Sequence, residues 1–174
     1  MWLMLRAAVW AAALPGLTVV YVPWRFFGVS SATVDVTHPA HVAGLALVLA
    51  GASLLAACIW EFAQRGRGTL SPLDPPRRLV ISGLYRFVRN PMYLGGALVL
   101  IGANLLAPST SLFWYSLSWV AAVSTFVRLH EEPALRRSFP DQYQAYFAAV
   151  PRWIPRLTPA RTDPAPRVRT RPSP

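Results

Sequence analysis

The chain has 174 residues and a mean hydropathy of +0.36, with 54% hydrophobic residues, which indicates one domain that is too apolar for an ordinary soluble fold. All 17 basic residues are arginines, and the formal net charge is +10. These arginines cluster in 65–89 and 128–171, between and after hydrophobic segments. That pattern favours a membrane-topology signal over a nucleic-acid-binding surface. The single cysteine, Cys58, excludes an internal disulfide, and three scattered histidines argue against a metal site.

Four apolar segments are predicted to span a membrane: 2–22, 41–62, Pro91–Leu106 and 112–129. A hydrocarbon core of about 30 Å needs about 20 helical residues. The third segment is short, so it is expected to stand upright, to lie deep in protein or to cross thinned lipid. The first is interpreted as a retained span closed by Pro23, Trp24 and Arg25, because no clear cleavage site follows it.

Arginine asymmetry predicts the orientation of the spans. The loop 63–90 and the tail after the fourth span are rich in arginine, whereas the loop 107–111 carries no charge. An even number of spans then puts both termini of this multi-pass chain in the cytoplasm.

Small residues recur at seven-residue intervals in two of the spans. Gly44 and Gly51 lie in the second span, beside Ala43, Ala50 and Ala57, and Gly95 and Gly102 lie in the third. This spacing is typical of helices that approach closely in lipid. The alternative is that small residues are merely common in these segments.

After the fourth span, 131–139 is predicted to continue as helix until Pro140 and Asp141 interrupt it. Residues 142–150 then form a short helix with one apolar face, which docks on the membrane or covers a site. That face comprises Tyr143, Tyr146, Phe147 and Val150. The membrane domain is placed at 1–157, and 158–174 is expected to be a disordered cytoplasmic tail.

Two polar blocks flank the hairpin made by the third and fourth spans. Asn90 is a suitable helix cap and Pro91 a suitable first helical residue, which directs a positive helix end toward the cytoplasm beside Arg89. This end suits a carboxylate or phosphate. The alternative is an ordinary cap, with Arg89 binding a lipid headgroup.

The second block is Glu131 and Glu132, at the end of the fourth span. Two acids at a helix C-terminus are electrostatically unfavourable, which suggests that they serve a ligand. The alternative is that they are solvated or paired with Arg128 and Arg136. The hairpin is predicted to bring both blocks to one membrane face, where polar residues are costly unless functional.

These blocks resemble the membrane methyltransferases related to isoprenylcysteine carboxyl methyltransferase and phospholipid N-methyltransferases. The first matching part comprises 79–85, then 89–93 with Gly95; the second comprises 131–135, Phe139, Tyr143, Tyr146 and 150–155. The resemblance covers roughly 68–156. It implies an all-α membrane protein of about four transmembrane helices, with cytoplasmic C-terminal helices capping a pocket for S-adenosylmethionine.

By position, the resemblance implies cofactor contacts along both blocks. The adenine end would lie against 77–80, mostly through the backbone. Glu131 would bind a polar group of the cofactor. The residues implied in cofactor binding are Arg77, Arg78, Leu79, Val80, Tyr85, Arg89, Asn90, Pro91, Met92, Tyr93 and Glu131.

The family usually has histidine where this chain has Asn90, which keeps a cap and a donor but no titratable ring. The implied reaction is methyl transfer to a lipophilic acceptor, either a prenylcysteine-type carboxylate, a lipid or a small apolar molecule. A carboxylate acceptor needs no base, whereas an amine or hydroxyl must lose a proton. Glu132 is the predicted catalytic residue, as that base or as a group that orients the acceptor.

Two other functions remain open at this stage. The C-terminal regions of membrane sterol reductases, which use NADPH, have a similar Arg-x-Pro-x-Tyr-x-Gly element, but those chains are generally longer. A non-catalytic membrane module that keeps the fold is the other alternative.

Overall fold

The computed structural model describes residues 15–29, 33–65 and 81–160, and these ranges are helical and without strands. This confirms the predicted all-α class. A π-helical turn, Gly16–Tyr21, leads into α1, and a second π-helical turn, Val127–Glu131, joins α4 to α5. The α-helices are α1 (Val22–Phe26), α2 (Pro39–Arg65), α3 (Pro91–Leu106), α4 (Thr110–Phe126), α5 (Glu132–Ser138) and α6 (Pro140–Ala149).

Two helices of the described ranges are long and apolar enough to cross a membrane, Pro39–Glu61 and Thr110–Ser138. They correspond to the second and fourth predicted spans. Many of their large apolar side chains are exposed, including Leu49, Trp60 and Trp114, as in helices that face lipid and not a protein core. The third predicted span coincides with α3, a shorter apolar helix. The first lies mostly outside the described residues.

The main contact of the fold is the antiparallel packing of α2 on α3. Gly44 faces Gly102 and Gly51 faces Gly95, two helical turns further along. A Cβ atom on Gly51 would lie 2.5 Å from the carbonyl oxygen of Gly95, so the two backbones touch. The predicted packing role of the glycines is therefore confirmed. The neighbouring alanines of α2 lie on its exposed side.

Each π-helical turn ends two residues before a proline. The amide of Val22 donates to Leu17 O, and Pro23 follows; the amide of Glu132 donates to Val127 O, and Pro133 follows. A proline ring collides with the carbonyl four residues earlier, and a wider turn relieves that collision. The helix therefore continues through Pro23 to Phe26, one residue past the Pro23, Trp24 and Arg25 group that was predicted to close the first span.

Thr18 fixes the first helix to α4. Its carbonyl oxygen accepts a hydrogen bond of 2.5 Å from the Tyr115 hydroxyl, and its Oγ1 accepts one of 3.1 Å from Trp119 Nε1. In a π-helical turn, the Thr18 carbonyl would accept a hydrogen bond from the amide five residues later. That residue is Pro23, which has no N–H to donate. The ring of Trp119 also lies against Gly96 of α3, where a Cβ would approach it to 2.7 Å.

Candidate functional site

Residues 81–90, the site segment, lead into α3 and form one wall of the candidate site. Its 3₁₀ turn, Gly83–Arg86, begins at a glycine with φ +51°, a conformation that favours glycine. The carboxylate of Glu61, near the end of α2, lies where a Cβ on Gly83 would be, and it accepts a hydrogen bond of 3.3 Å from Ser82 Oγ. The end of α2 therefore holds the segment in place through Glu61.

Glu132 lies between two arginines from distant parts of the chain. Its Oε1 accepts hydrogen bonds from Arg89 Nη1 at 2.9 Å and from Arg152 Nε at 2.7 Å, and its Oε2 accepts one from Arg152 Nη2 at 2.8 Å. The side chains of Arg89 and Glu132 are only 8% and 9% exposed. These bonds raise the pKa of the Arg152 guanidinium. Glu132 thus links the start of α3, the start of α5 and the chain after α6.

Glu131 lies beside this ion pair. Its Oε2 accepts a hydrogen bond of 3.2 Å from the Tyr93 hydroxyl, one turn into α3. The prediction that the hairpin joins the two polar blocks is confirmed by these contacts. The partners of Glu132 are Arg89 and Arg152. The alternative stated above, pairing with Arg128 and Arg136, does not hold for this residue.

Asn90 occupies the N-cap position of α3, and Pro91 is the first helical residue, as predicted. The side chain of Asn90 makes no capping hydrogen bond, however, so that part of the prediction is wrong. Its Nδ2 donates instead to the carbonyl oxygen of Arg152 at 3.2 Å. Asn90 is buried, and a buried amide needs a hydrogen-bond partner, which the Arg152 carbonyl provides.

The apolar face predicted for the last helix is confirmed, and it covers the site segment. Tyr143, Tyr146 and Val150 are buried together, with Ile81 packed against them. The Tyr146 hydroxyl donates to the carbonyl oxygen of Tyr85 at 2.8 Å. Burial raises the pKa of the Tyr85, Tyr143 and Tyr146 hydroxyls, so all three stay neutral near pH 7.

Phe147, on the same helix, lies between two guanidinium groups. The Cζ atom of Arg89 is 4.1 Å from the centre of its ring, and that of Arg136 is 4.5 Å from it. A ring face attracts a cation, most strongly where water is excluded. Phe147 therefore contacts the same guanidinium that binds Glu132 and helps to hold it in place.

Residues 150–160, the C-terminal strap, run antiparallel to the site segment. Prolines at every fourth position, Pro151, Pro155 and Pro159, prevent a helix here. Three backbone hydrogen bonds, each of 2.9 Å, join the strap to the segment: Arg89 N to Pro151 O, Arg156 N to Phe87 O and Ala160 N to Arg86 O. The strap includes Thr158–Ala160, placed by sequence in the tail, and Ala160 is buried; the rest of that tail lies outside the described residues.

The structure describes eight of the twelve predicted site residues, from Tyr85 through Tyr93 to Glu131 and Glu132, and brings them together. The four predicted adenine contacts, Arg77, Arg78, Leu79 and Val80, lie outside the described residues. Sequence reasoning missed Arg152 and Phe147 as site residues, although both fall in motifs it had singled out. Within the described ranges no cluster of three or more potential metal ligands occurs.

Comparison with known proteins identifies a family. The model of the phospholipid methyltransferase (PEMT) family matches residues 39–142. No curated protein and no solved structure matches the chain.

Proposed function

The chain belongs to the phospholipid methyltransferase family, and from that premise we propose that it transfers a methyl group from S-adenosylmethionine to a lipophilic acceptor at the cytoplasmic face of a membrane. The observation that carries the proposal is the junction of the two polar blocks. Arg89 binds Glu132 at 2.9 Å and Tyr93 binds Glu131 at 3.2 Å, across more than 35 residues of chain. Membership in a family of methyltransferases supports an enzymatic function. The exposed apolar side chains of the long helices support a lipid-type acceptor.

The residues present fit the proposed cofactor. Arg89 Nε is the buried side-chain nitrogen that has no hydrogen-bond partner within the described ranges, and a ligand carboxylate is a suitable acceptor for it. Within the part of the chain that the structure describes, the carboxylate of Glu131 accepts one side-chain hydrogen bond, from Tyr93, which leaves lone pairs for an amine or hydroxyl. We propose further that 77–80, Tyr85 and 90–92 line the rest of the site. When bound, S-adenosylmethionine supplies an activated methyl group on a sulfonium.

The protein's own task is then mainly alignment, because the methyl group is already activated. Of the two roles predicted for Glu132, orientation fits its contacts better than proton abstraction. Both of its oxygens already accept hydrogen bonds from guanidinium groups. We propose that Glu132 holds Arg89 and that Glu131, with its free lone pairs, contacts the ligands. An amine acceptor would be deprotonated by Glu131, whereas a carboxylate acceptor needs no base.

Transfer of tritiated methyl groups tests the proposal directly. Purified protein in vesicles of mixed phospholipids is incubated with methyl-tritiated S-adenosylmethionine, and the organic extract is counted. We expect label in the extract from wild-type protein and little from Glu131→Gln. Asp35→Asn is the matched control, because Asp35 lies in an exposed loop before α2 and its hydrogen bonds to Thr37 need only a carboxamide oxygen.

A second measurement separates cofactor binding from the choice of acceptor. Isothermal titration with S-adenosylhomocysteine should give saturable heat for wild-type protein and for Asp35→Asn. Saturable binding without labelled lipid would support the cofactor and direct the search to other acceptors. Absence of heat and of label would contradict the proposal, and thermal stabilisation by NADPH alone would favour the reductase alternative.

A further inference from the structure

The C-terminal strap lies beyond residue 142, where the family match ends, yet it is bound to the centre of the site. Arg152 makes two kinds of contact there. Its guanidinium binds both oxygens of Glu132, at 2.7 and 2.8 Å, and its carbonyl oxygen accepts the Asn90 amide at 3.2 Å. A two-point arginine–carboxylate pair fixes the plane of the carboxylate as well as its position.

Glu132 would have more freedom without Arg152. Its side chain is 9% exposed, and Arg89 alone would hold it through a single hydrogen bond to Oε1. A buried carboxylate that loses one of its two cations rotates or recruits water to recover the lost interaction. Either response moves the partner of Arg89, the residue whose unpartnered Nε is offered to the ligand.

We propose that the strap is a working part of the active site, and that Arg152 is a positioning residue that sets the orientation of Arg89 through Glu132. This inference rests on the proposed function, since the ligand that Arg89 would meet is the methyl donor. The proline spacing gives the reason for the strap's form. An extended chain presents its backbone groups to the site segment, and it leaves the Arg152 side chain free to reach Glu132.

The experiment compares Arg152→Ala, Arg152→Lys and Arg137→Ala in purified full-length protein. Arg137 is exposed on α5, so its removal changes net charge equally without touching the site. For Arg152→Ala we expect affinity for S-adenosylhomocysteine to fall by about tenfold to a hundredfold, the usual effect of misaligning a binding group. We expect Arg152→Lys to restore part of that loss, and Arg137→Ala to remain within about twofold of wild type.

A kinetic split and amide exchange distinguish positioning from a purely structural role. With the methyl donor varied, Arg152→Ala should raise KM more than it lowers kcat, and the Arg89 amide, bonded to Pro151, should exchange faster. If Arg152→Ala does not fold, Arg152→Lys decides: weaker binding at unchanged melting temperature supports the inference, and wild-type affinity overturns it.

Other outcomes separate this inference from the proposed function. Wild-type protein that binds S-adenosylhomocysteine, together with an Arg152→Ala variant of equal affinity, would overturn the role of Arg152 alone. Wild-type protein that binds neither S-adenosylmethionine nor S-adenosylhomocysteine would overturn both proposals.

Discussion

Gly51→Ala tests the helix contact on which the site depends. The new Cβ would lie 2.5 Å from Gly95 O, 2.8 Å from Val99 Cγ2 and 2.9 Å from Val99 N. Two of these three atoms belong to the backbone, so α2 and α3 must separate. Overpacking of this kind costs about 1–3 kcal/mol, and we take about 3 because the backbone cannot rotate away. Alanine regains about 1 kcal/mol of helix propensity, so a net loss of about 2 kcal/mol is expected.

The matched control is Gly16→Ala, because a Cβ on Gly16 would meet nothing within 4 Å. That variant should keep or slightly raise the stability. Cys58 provides the assay, since it is the single cysteine of the chain and is 0% exposed on the same line of α2. A thiol-reactive fluorogenic dye should report unfolding of Gly51→Ala about 4–8 °C below wild type, from about 2–4 °C per kcal/mol. An unchanged melting temperature would refute the close approach of the two helices.

Three further outcomes are expected. Gly83→Ala should lower both stability and cofactor affinity, because the residue has φ +51° and its Cβ would meet the Glu61 carboxylate; thermal unfolding and titration calorimetry measure these effects. Tyr115→Phe should lower the free energy of unfolding by about 1 kcal/mol, by removal of the hydrogen bond to Thr18, and an unchanged dye-detected melting temperature would contradict this. Burial raises the pKa of Tyr146, so the unfolded chain loses that proton first as pH rises; stability should fall above about pH 10, and less steeply in Tyr146→Phe.

The parts of the fold that sequence predicted are those with a local signal. The bounds of α3 follow from a proline at its start and from an unbroken apolar run, and they coincide with the structure. The seven-residue spacing of Gly44 and Gly51 against Gly95 and Gly102 places the two contact points of a helix pair. The apolar face of α6 follows from its helical periodicity in the same way.

The parts that sequence did not predict depend on contacts between distant segments. Asn90 was expected to cap α3. Nothing near it in sequence reveals that the carbonyl oxygen of Arg152 would lie 3.2 Å from its Nδ2. Arg152 itself is one of many arginines after the fourth span, and only the fold separates it from its neighbours. The π-helical turns do have a local cause, in Pro23 and Pro133, but proline alone does not determine whether a helix stops, bends or widens.

Helix lengths explain why the site forms at this end of the helix pair. The pairing of Gly51 with Gly95 puts Leu55 near the level of Pro91, so the last ten residues of the 27-residue α2 extend about 15 Å past the start of α3. The helical segment Thr110–Ser138 follows α3 after a loop of three residues, 107–109. It is 29 residues long, against 16 for α3, so it extends about 18–20 Å past the start of α3 at the same end. Between these two projections lies a recess whose floor is the N-terminus of α3. The site segment, α6 and the C-terminal strap fill it, and the acids that bind the segment and the strap, Glu61 and Glu132, lie on its two walls. A longer third helix would fill the recess with apolar side chains, so the shortness of α3 is what makes room for a polar site at this end of the helix pair.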